Sequence, residues 1–447
     1  MSIYILINKE EVESMIWAPE IEQADRKSIE QIQLARLQDT VKRAYENVPF
    51  YRQKLDELGV KPEDIQQLSD VQKLPFTVKD DLRAHYPFGL LAVPMKQVNR
   101  IHASSGTTGS STVVTYTKQD LENWSECIAR LVCMAGGSDE DIAQIAFGYG
   151  LFTGGFGLHY GLEKVGAAVV PMSSGNTRRQ IQLLQDFGTT LLICTPTYAM
   201  YLAETAESLG VNLRELPIRT AMVGGEGHTE ELRAQLEEKW GMTVTENYGL
   251  SEVMGPGVSG ECLEKDGMHI NEDQFLVEII DPETGEVLPE GEKGEVVITT
   301  LTKQAQPLLR YRTKDLSRIT YEPCKCGRTT ARMNKIMGRS DDMLVIRGVN
   351  VFPSQIEKVL LSTPGVGTSY EIIVTTENFM DRVEVMVEVA DAKLLERYKE
   401  LEVLKQKLRA AIKTDCLIDT KITLCNPMTL KRFEGKAKRV QDLRKKD

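Results

Sequence analysis

Apolar residues in "SIEQIQLARLQDTVKRAYENV" recur three or four positions apart with polar residues between them, which predicts amphipathic helix and a mostly helical first hundred residues. From about Ile142 the pattern changes. "AAVVPM", "TLLICT" and "RTAMVGGEG" are short apolar runs that close on Gly, Pro, Ser or Thr. Each precedes a helical stretch, namely "TRRQIQLLQDF", "TYAMYLAETAESLG" and "TEELRAQLEEKWG". This alternation predicts βαβ units around a largely parallel sheet. Ligands of such sheets bind beyond the carboxyl ends of the strands, where "GGEG" and "NYGLSE" fall.

From Asp273 the period shortens to two, and "FLVEIIDPETGEVLPEGEKGEVVITTL" reads as strands separated by Pro- and Gly-containing turns. A new unit starts after Gly338. Its "PSQIEKVLL" is predicted as a helix with capping-box spacing from Ser354 to Glu357. "YEIIVTT" and "RVEVMVEVA" alternate as strands, "LLERYKELEVLKQKLRAAI" is a long amphipathic helix, and "TKITLC" is a further strand. The expected fold is therefore α/β. A large N-terminal domain, residues 1–338, has βαβ layers and a β-rich subdomain; a small mobile α+β C-terminal domain takes residues 339–447.

Composition narrows the function. Of 447 residues, 41% are hydrophobic and 27% charged, an ordinary soluble balance. A formal net charge of -11 argues against bulk attraction to nucleic acid or to an anionic membrane. Any anion must be captured locally. No run approaches the roughly 18 apolar residues of a membrane span. The apolar run in "MSIYILINKEE" is too short for a signal-peptide core. Eight dispersed cysteines do not suggest a disulfide scaffold, and Cys127, Cys133 and Cys194 sit in apolar stretches expected to be core. The expected location is the cytoplasm.

One loop points to phosphate. "SSGTTGSST", Ser104–Thr112, holds two glycines, four serines and three threonines, without the lysine of a GxxxxGK[ST] loop. Strand-like "RIHAS" precedes it and strand-like "VVTYT" follows; the next helix starts only after Thr117, where "TKQD" supplies a capping box. Backbone N–H groups and hydroxyls would hold the anion, with glycine letting the chain close around it; a mobile hairpin loop is the alternative. "ENYGLSEVMG" adds Tyr248 and Glu252 beyond a predicted strand. That glutamate suits Mg²⁺, which takes one or two carboxylates beside phosphates and water; a solvated loop glutamate is the alternative. "YRTKDL" adds Asp315, suited to a ribose diol or simply a turn aspartate. "GRSDDMLVIRGVNVFPSQIE" supplies Arg339 and Asp341, and "LKRFEGKAKR" places Lys436 in a basic tail that could equally be a solvated end.

Together these pieces resemble the adenylate-forming acyl-CoA synthetases, and among them the phenylacetate-CoA ligases. "SSGTTG", "FGYGLFTGG", "GGEG", "NYGLSE", "YRTKDL", "GRSDDMLVIRGVNVFPSQIE" and "EGKAKR" stand in that family's order from Ser104 to Arg439. One departure is Ser110, where the family usually has lysine after the loop. The resemblance implies a carboxylic acid, ATP with Mg²⁺, and coenzyme A as reactants. It places Ser104, Ser105, Gly106, Thr107, Thr108 and Gly109 over the outer phosphates of ATP, and Glu252 on Mg²⁺. Gly225, Glu226, Tyr248, Gly249 and Ser251 would line the adenine and acyl-phosphate site, with Asp315 and Arg339 on ribose. Lys436 would serve adenylation, Asp341 would be the hinge, and Gly348 and Val349 would face coenzyme A. Tyr149, Phe152 and Gly154 would form an aryl pocket, its glycines leaving room beside the ring, with core packing as the alternative. The family also implies a homodimer. Competing readings are an adenylating enzyme that hands its acyl group elsewhere or stops at AMP ligation, and a zinc-bearing interaction protein.

The zinc reading rests on "CKCG", with Cys324 and Cys326, and on "ECLEKDGMHINED", with Cys262 and His269. Three thiolates and an imidazole suit a tetrahedral structural zinc, and some phenylacetate-CoA ligases are similar here. About fifty residues separate the two halves, and buried free cysteines are common.

Overall fold

Helix α1 (Arg26–Asn47) begins where the Asp25 carboxylate accepts the Ser28 N–H, and its apolar face buries Ile29, Leu37, Val41 and Ala44. Helix α2 (Pro49–Leu58) follows at once, opened by proline and closed by Gly59 in the left-handed region. The computed structural model describes residues 16–104, 111–347, 349–377, 380–434 and 437–444. They form two compact units. The first takes the chain up to Cys194 with Leu216–Gly225 and Thr243–Ile336; the second takes Thr195–Glu215, Glu226–Met242 and the chain from Met337.

In the first unit, β1 (Arg100–Ala103) and β2 (Val113–Tyr116) pair antiparallel on either side of the serine-rich loop. Helix α3 (Lys118–Met134) then starts from the Thr117/Asp120 capping box that the sequence predicts. Strands β3 (Ile142–Ile145), β4 (Ala168–Val170), β5 (Leu191–Cys194), β6 (Thr220–Gly224) and β7 (Thr243–Leu250) form the parallel half of a nine-stranded sheet. Helix α4 (Thr153–Val165) links β3 to β4. The antiparallel half adds β8 (Gly255–Glu261), β9 (Met268–Ile270), β13 (Ile319–Thr320) and β14 (Arg332–Met333), in the order β13-β14-β9-β8-β7-β6-β5-β3-β4. Strands β10 (Phe275–Ile280), β11 (Gly294–Thr300) and β12 (Tyr311–Ser317) make a separate antiparallel sheet, the β-rich texture expected after Asp273. One buried cluster runs from Leu37 through Trp124, Ile193, Val258 and Ile298 to Met333. Cys127, Cys133 and Cys194 are buried in apolar surroundings, as expected.

In the second unit, helix α5 (Pro196–Ser208) begins at Thr195, whose hydroxyl caps the Tyr198 N–H, and α6 (Glu230–Trp240) at Thr229. Beyond Met337 come the hairpin β15 (Leu344–Ile346) and β16 (Val349–Val351), then helix α7 (Pro353–Leu361). The capping box is not Ser354 to Glu357. Phe352 is the N-cap, Pro353 the first helical residue, and the Gln355 side chain accepts the Phe352 N–H at 2.9 Å. A four-stranded sheet follows, ordered β19 (Lys421–Cys425), β18 (Met380–Val389), β17 (Val366–Glu377) and β20 (Val440–Asp442). The long helix, α8, spans Tyr398–Cys416, later than its periodicity implies, because Asp391 caps a separate 3-10 turn at Ala392–Glu396. This lobe has a core of its own, including Val351, Leu360, Ile372, Val385 and Leu408.

Candidate active site

The base of the serine-rich loop is fastened shut. The Ser104 N–H donates to the Thr112 carbonyl at 2.9 Å, and the two hydroxyls lie 2.6 Å apart. Ser105, Gly106, Thr107, Thr108, Gly109 and Ser110 lie outside the described residues, as do Gly348 and Lys436.

At the carboxyl end of β7 three expected residues converge. The Tyr248 hydroxyl donates to Asp315 Oδ2 at 2.7 Å, joining the large sheet to the three-stranded one. Asp315 is not a turn aspartate: it lies within β12 and is buried. Glu252 is not a solvated glutamate either, since its side chain is only 7% exposed. Its carboxylate meets Lys79 Nζ at 2.9 Å, a half-exposed lysine at the start of the short helix Lys79–Ala84. Lys79 belongs to no motif, and nothing in the sequence singles it out. A buried carboxylate that already faces a displaceable ammonium fits the single-carboxylate pattern of Mg²⁺ sites.

The neighbouring backbone is tightly specified. A Cβ at Gly249 would stand 2.1 Å from the Gly255 carbonyl oxygen, so no side chain fits there. Ser251 Oγ and Thr153 Oγ1 lie 2.8 Å apart, tying the turn to the first residue of α4. Gly225 has φ +80, a left-handed conformation that glycine adopts without penalty.

Other expected residues belong to the second unit. Glu226 uses both carboxylate oxygens on backbone, accepting the Thr197 N–H at 2.9 Å and the Ala437 N–H at 2.7 Å. Arg339 clasps Asp341 through two hydrogen bonds, 2.9 and 3.0 Å. Val349 opens β16 opposite Ile346. The basic tail is not simply solvated. Arg432 forks onto both Glu388 oxygens at 2.8 Å and reaches Glu204 at 3.0 Å. Arg439 lies over the Tyr370 ring and donates to Thr197 Oγ1 at 3.2 Å.

In the aromatic segment, Tyr149 packs edge-on against Phe156 and its hydroxyl lies 3.0 Å from His159 Nδ1. Phe152 is 44% exposed and caps α4. The glycines of this segment differ in the space beside them: a Cβ at Gly150 would meet nothing within 4 Å. A Cβ at Gly154 would strike Phe152 itself at 2.5 Å. On the same helix, Cβ atoms at Gly157 and Gly161 would strike Trp124 and Ile128 of α3 at 2.3 and 2.2 Å. Their absence lets the two helices touch.

The cysteine and histidine cluster assembles as the spacing suggests. Ligand atoms of Cys262, His269, Cys324 and Cys326 lie within 4.8 Å of one another, all buried. Cys262 Sγ is 3.7 Å from Cys324 Sγ, and Cys326 Sγ is 3.4 Å from His269 Nε2. Tetrahedral zinc with bonds of about 2.3 Å to sulfur and about 2.0 Å to nitrogen sets these edges at roughly 3.8 and 3.5 Å. The donor set therefore fits. His269 Nδ1 lies 3.1 Å from Thr330 Oγ1, an orienting contact that the sequence reading missed.

Comparison with known proteins follows the same lines. Residues 19–302 match the AMP-binding enzyme family and residues 348–444 its C-terminal domain. The chain is 49% identical to the phenylacetate-coenzyme A ligase of Thermus thermophilus, covering 96% of this chain and 100% of that one. It is 47% identical to the Escherichia coli phenylacetate-coenzyme A ligase, over 95% and 97% of the two chains. Its fold matches a crystal structure of 2-hydroxyisobutyryl-CoA ligase with a TM-score of 0.91 at 29% identity, covering 96% and 93%.

Proposed function

The chain belongs to the AMP-binding enzymes, among the phenylacetate-CoA ligases, and on that premise we propose that its acid is phenylacetate or a close aryl relative. It is an ATP-dependent, AMP-forming acid–CoA ligase. The observation that carries the site reading is the convergence at the end of β7, where buried Glu252 follows the Tyr248–Asp315 hydrogen bond by four residues.

Two steps follow. The acid's carboxylate oxygen attacks the α-phosphorus of ATP, the bond to the bridging oxygen breaks, and pyrophosphate leaves. The thiol sulfur of coenzyme A then attacks the acyl carbonyl, loses its proton, and expels AMP. Neither step needs a protein nucleophile, so the residues bind, orient and stabilise charge. Asp315 would accept from the ribose hydroxyls and Arg339 would donate to them, and Tyr248 with Gly225 would flank the adenylate. Glu226 would line the adenine site; its carboxylate accepts the Ala437 N–H. Ser104 and the loop after it would cover the outer phosphates, with Lys436 supplying the cation that the loop lacks. Glu252 would hold Mg²⁺, which neutralises phosphate charge when bound.

The lobe from residue 339 to 447 would turn about Asp341 between the steps, bringing Gly348 and Val349 to coenzyme A. Tyr149 and Phe152 would contact the aryl ring, with Gly154 beside them. Cys262, His269, Cys324 and Cys326 would hold a structural zinc. A cytoplasmic homodimer completes the reading. Among the described residues no helix is long and apolar enough to cross a membrane.

The test is a panel of carboxylic acids assayed for pyrophosphate and AMP release, with and without coenzyme A. Phenylacetate should give the highest kcat/KM, and AMP should appear only with the thiol present. A preference for aliphatic acids, or AMP release indifferent to coenzyme A, would reject it.

A further inference from the structure

Lys303 is a buried cation that no step above uses. It follows β11 in "LTKQAQ", and only 1% of its surface is exposed. Among the described residues no carboxylate comes within ion-pairing distance of it. Its ammonium lies 3.8 Å from the centre of the Tyr116 ring, and it donates to the Val253 carbonyl at 3.3 Å. Burial pushes its pKa down to about 7, with the charge of Asp120 opposing. A methionine or leucine would occupy the same volume without that desolvation cost.

Its partners share one target. The Tyr116 hydroxyl donates to the Met254 carbonyl at 2.7 Å. Trp124 stacks on Tyr116 at 5.1 Å between centroids, and its indole N–H donates to the Pro256 carbonyl at 2.7 Å. Three buried donors, from β2, α3 and the loop after β11, thus hold three carbonyls within four residues. That stretch begins immediately after Glu252. The donors are themselves fixed, because the Asp120 carboxylate accepts the N–H groups of Thr117, Gln304 and Ala305 at 2.8, 2.6 and 3.0 Å.

We propose that Lys303 is a positioning residue for the metal-binding carboxylate: with Tyr116 and Trp124, its buried ammonium fixes the turn that aims Glu252. This rests on the reading of Glu252 as the Mg²⁺ ligand. Groups that orient a metal ligand typically change metal affinity by about 10- to 100-fold when removed. A merely space-filling lysine would leave metal affinity alone.

The experiment compares Lys303→Met, Tyr116→Phe and Glu252→Gln enzymes. Mn²⁺ affinity is titrated by electron paramagnetic resonance with a non-hydrolysable ATP analogue bound, and thermal midpoints are taken without metal. Lys303→Met should match or exceed the parent midpoint, having lost a costly buried charge, yet bind Mn²⁺ about 10-fold or more weakly. Tyr116→Phe, which removes only the grip on Met254, should shift Mn²⁺ affinity in the same direction and decides the question if Lys303→Met does not fold. Parent-like Mn²⁺ affinity in these variants, with Glu252→Gln impaired, overturns the role of Lys303 alone. Parent-like affinity in Glu252→Gln overturns the metal reading and this inference with it.

Discussion

Hydrogen bonds from Cys262, Cys324 and His269 pull the Cys326 thiol far toward its anion, while contact with Cys324 pushes Cys262 the opposite way. A divalent cation among them would favour thiolate at all three, so binding metal and folding this region should be one process. Protein purified without chelator is expected to carry about one zinc per chain. Cys324→Ser should lose it and melt several degrees lower, with ATP-analogue affinity unchanged. Metal analysis that finds no zinc in carefully prepared enzyme would reject the assignment. The clustering of the four side chains was legible because a Cys-x-Cys pair and a Cys/His pair lie in the same β-rich segment. Lys79 and Lys303 were not legible. A lysine's burial, or its partner more than a hundred residues away, leaves no local pattern.

Among the elements, helices α3 and α4 meet where glycine removes the side chains between them. Alanine is the better helix former by about 1 kcal/mol, yet at Gly161 its methyl group would stand 2.2 Å from Ile128. Overpacking should win, so Gly161→Ala is expected to lose about 1–3 kcal/mol in urea unfolding. A raised midpoint would show that the helices can part freely. Strand order and helix starts follow from apolar period and capping residues, which is why α3 and the β3–β7 alternation were readable. Gly157 and Gly161 lie just beyond "FGYGLFTGG", and their packing role was not legible, because a glycine that clears space for a ligand and one that clears space for a helix are spelled alike. Helix α8 was placed too early because the apolar period runs unbroken through the 3-10 turn that Asp391 caps.

For the molecule as a whole, the adenylation step is expected to depend on a cation that the phosphate loop lacks. Losing a preorganised charge of this kind typically costs about 10² to 10³ in rate. Lys436→Ala should fail to form acyl-AMP from ATP at a useful rate, yet convert supplied acyl-AMP and coenzyme A at near the parent rate. Single-turnover measurements of each half-reaction decide it, and equal losses in both would reject alternation about Asp341. Motif order made the acid–CoA ligase activity readable along the chain, because each motif is local. The Glu226, Glu204 and Arg432 contacts were not, because they join stretches two hundred residues apart. Those contacts constrain anyone who would exchange parts between ligases. The lobe brings its own core, and Glu388 holds the fork of Arg432 from within, but the Arg432 Nε–H donates to Glu204 on α5. A chimera cut near residue 338 would therefore inherit a lobe without its counterpart unless α5 and Glu226 travel with it, so the natural transplant is discontinuous in sequence.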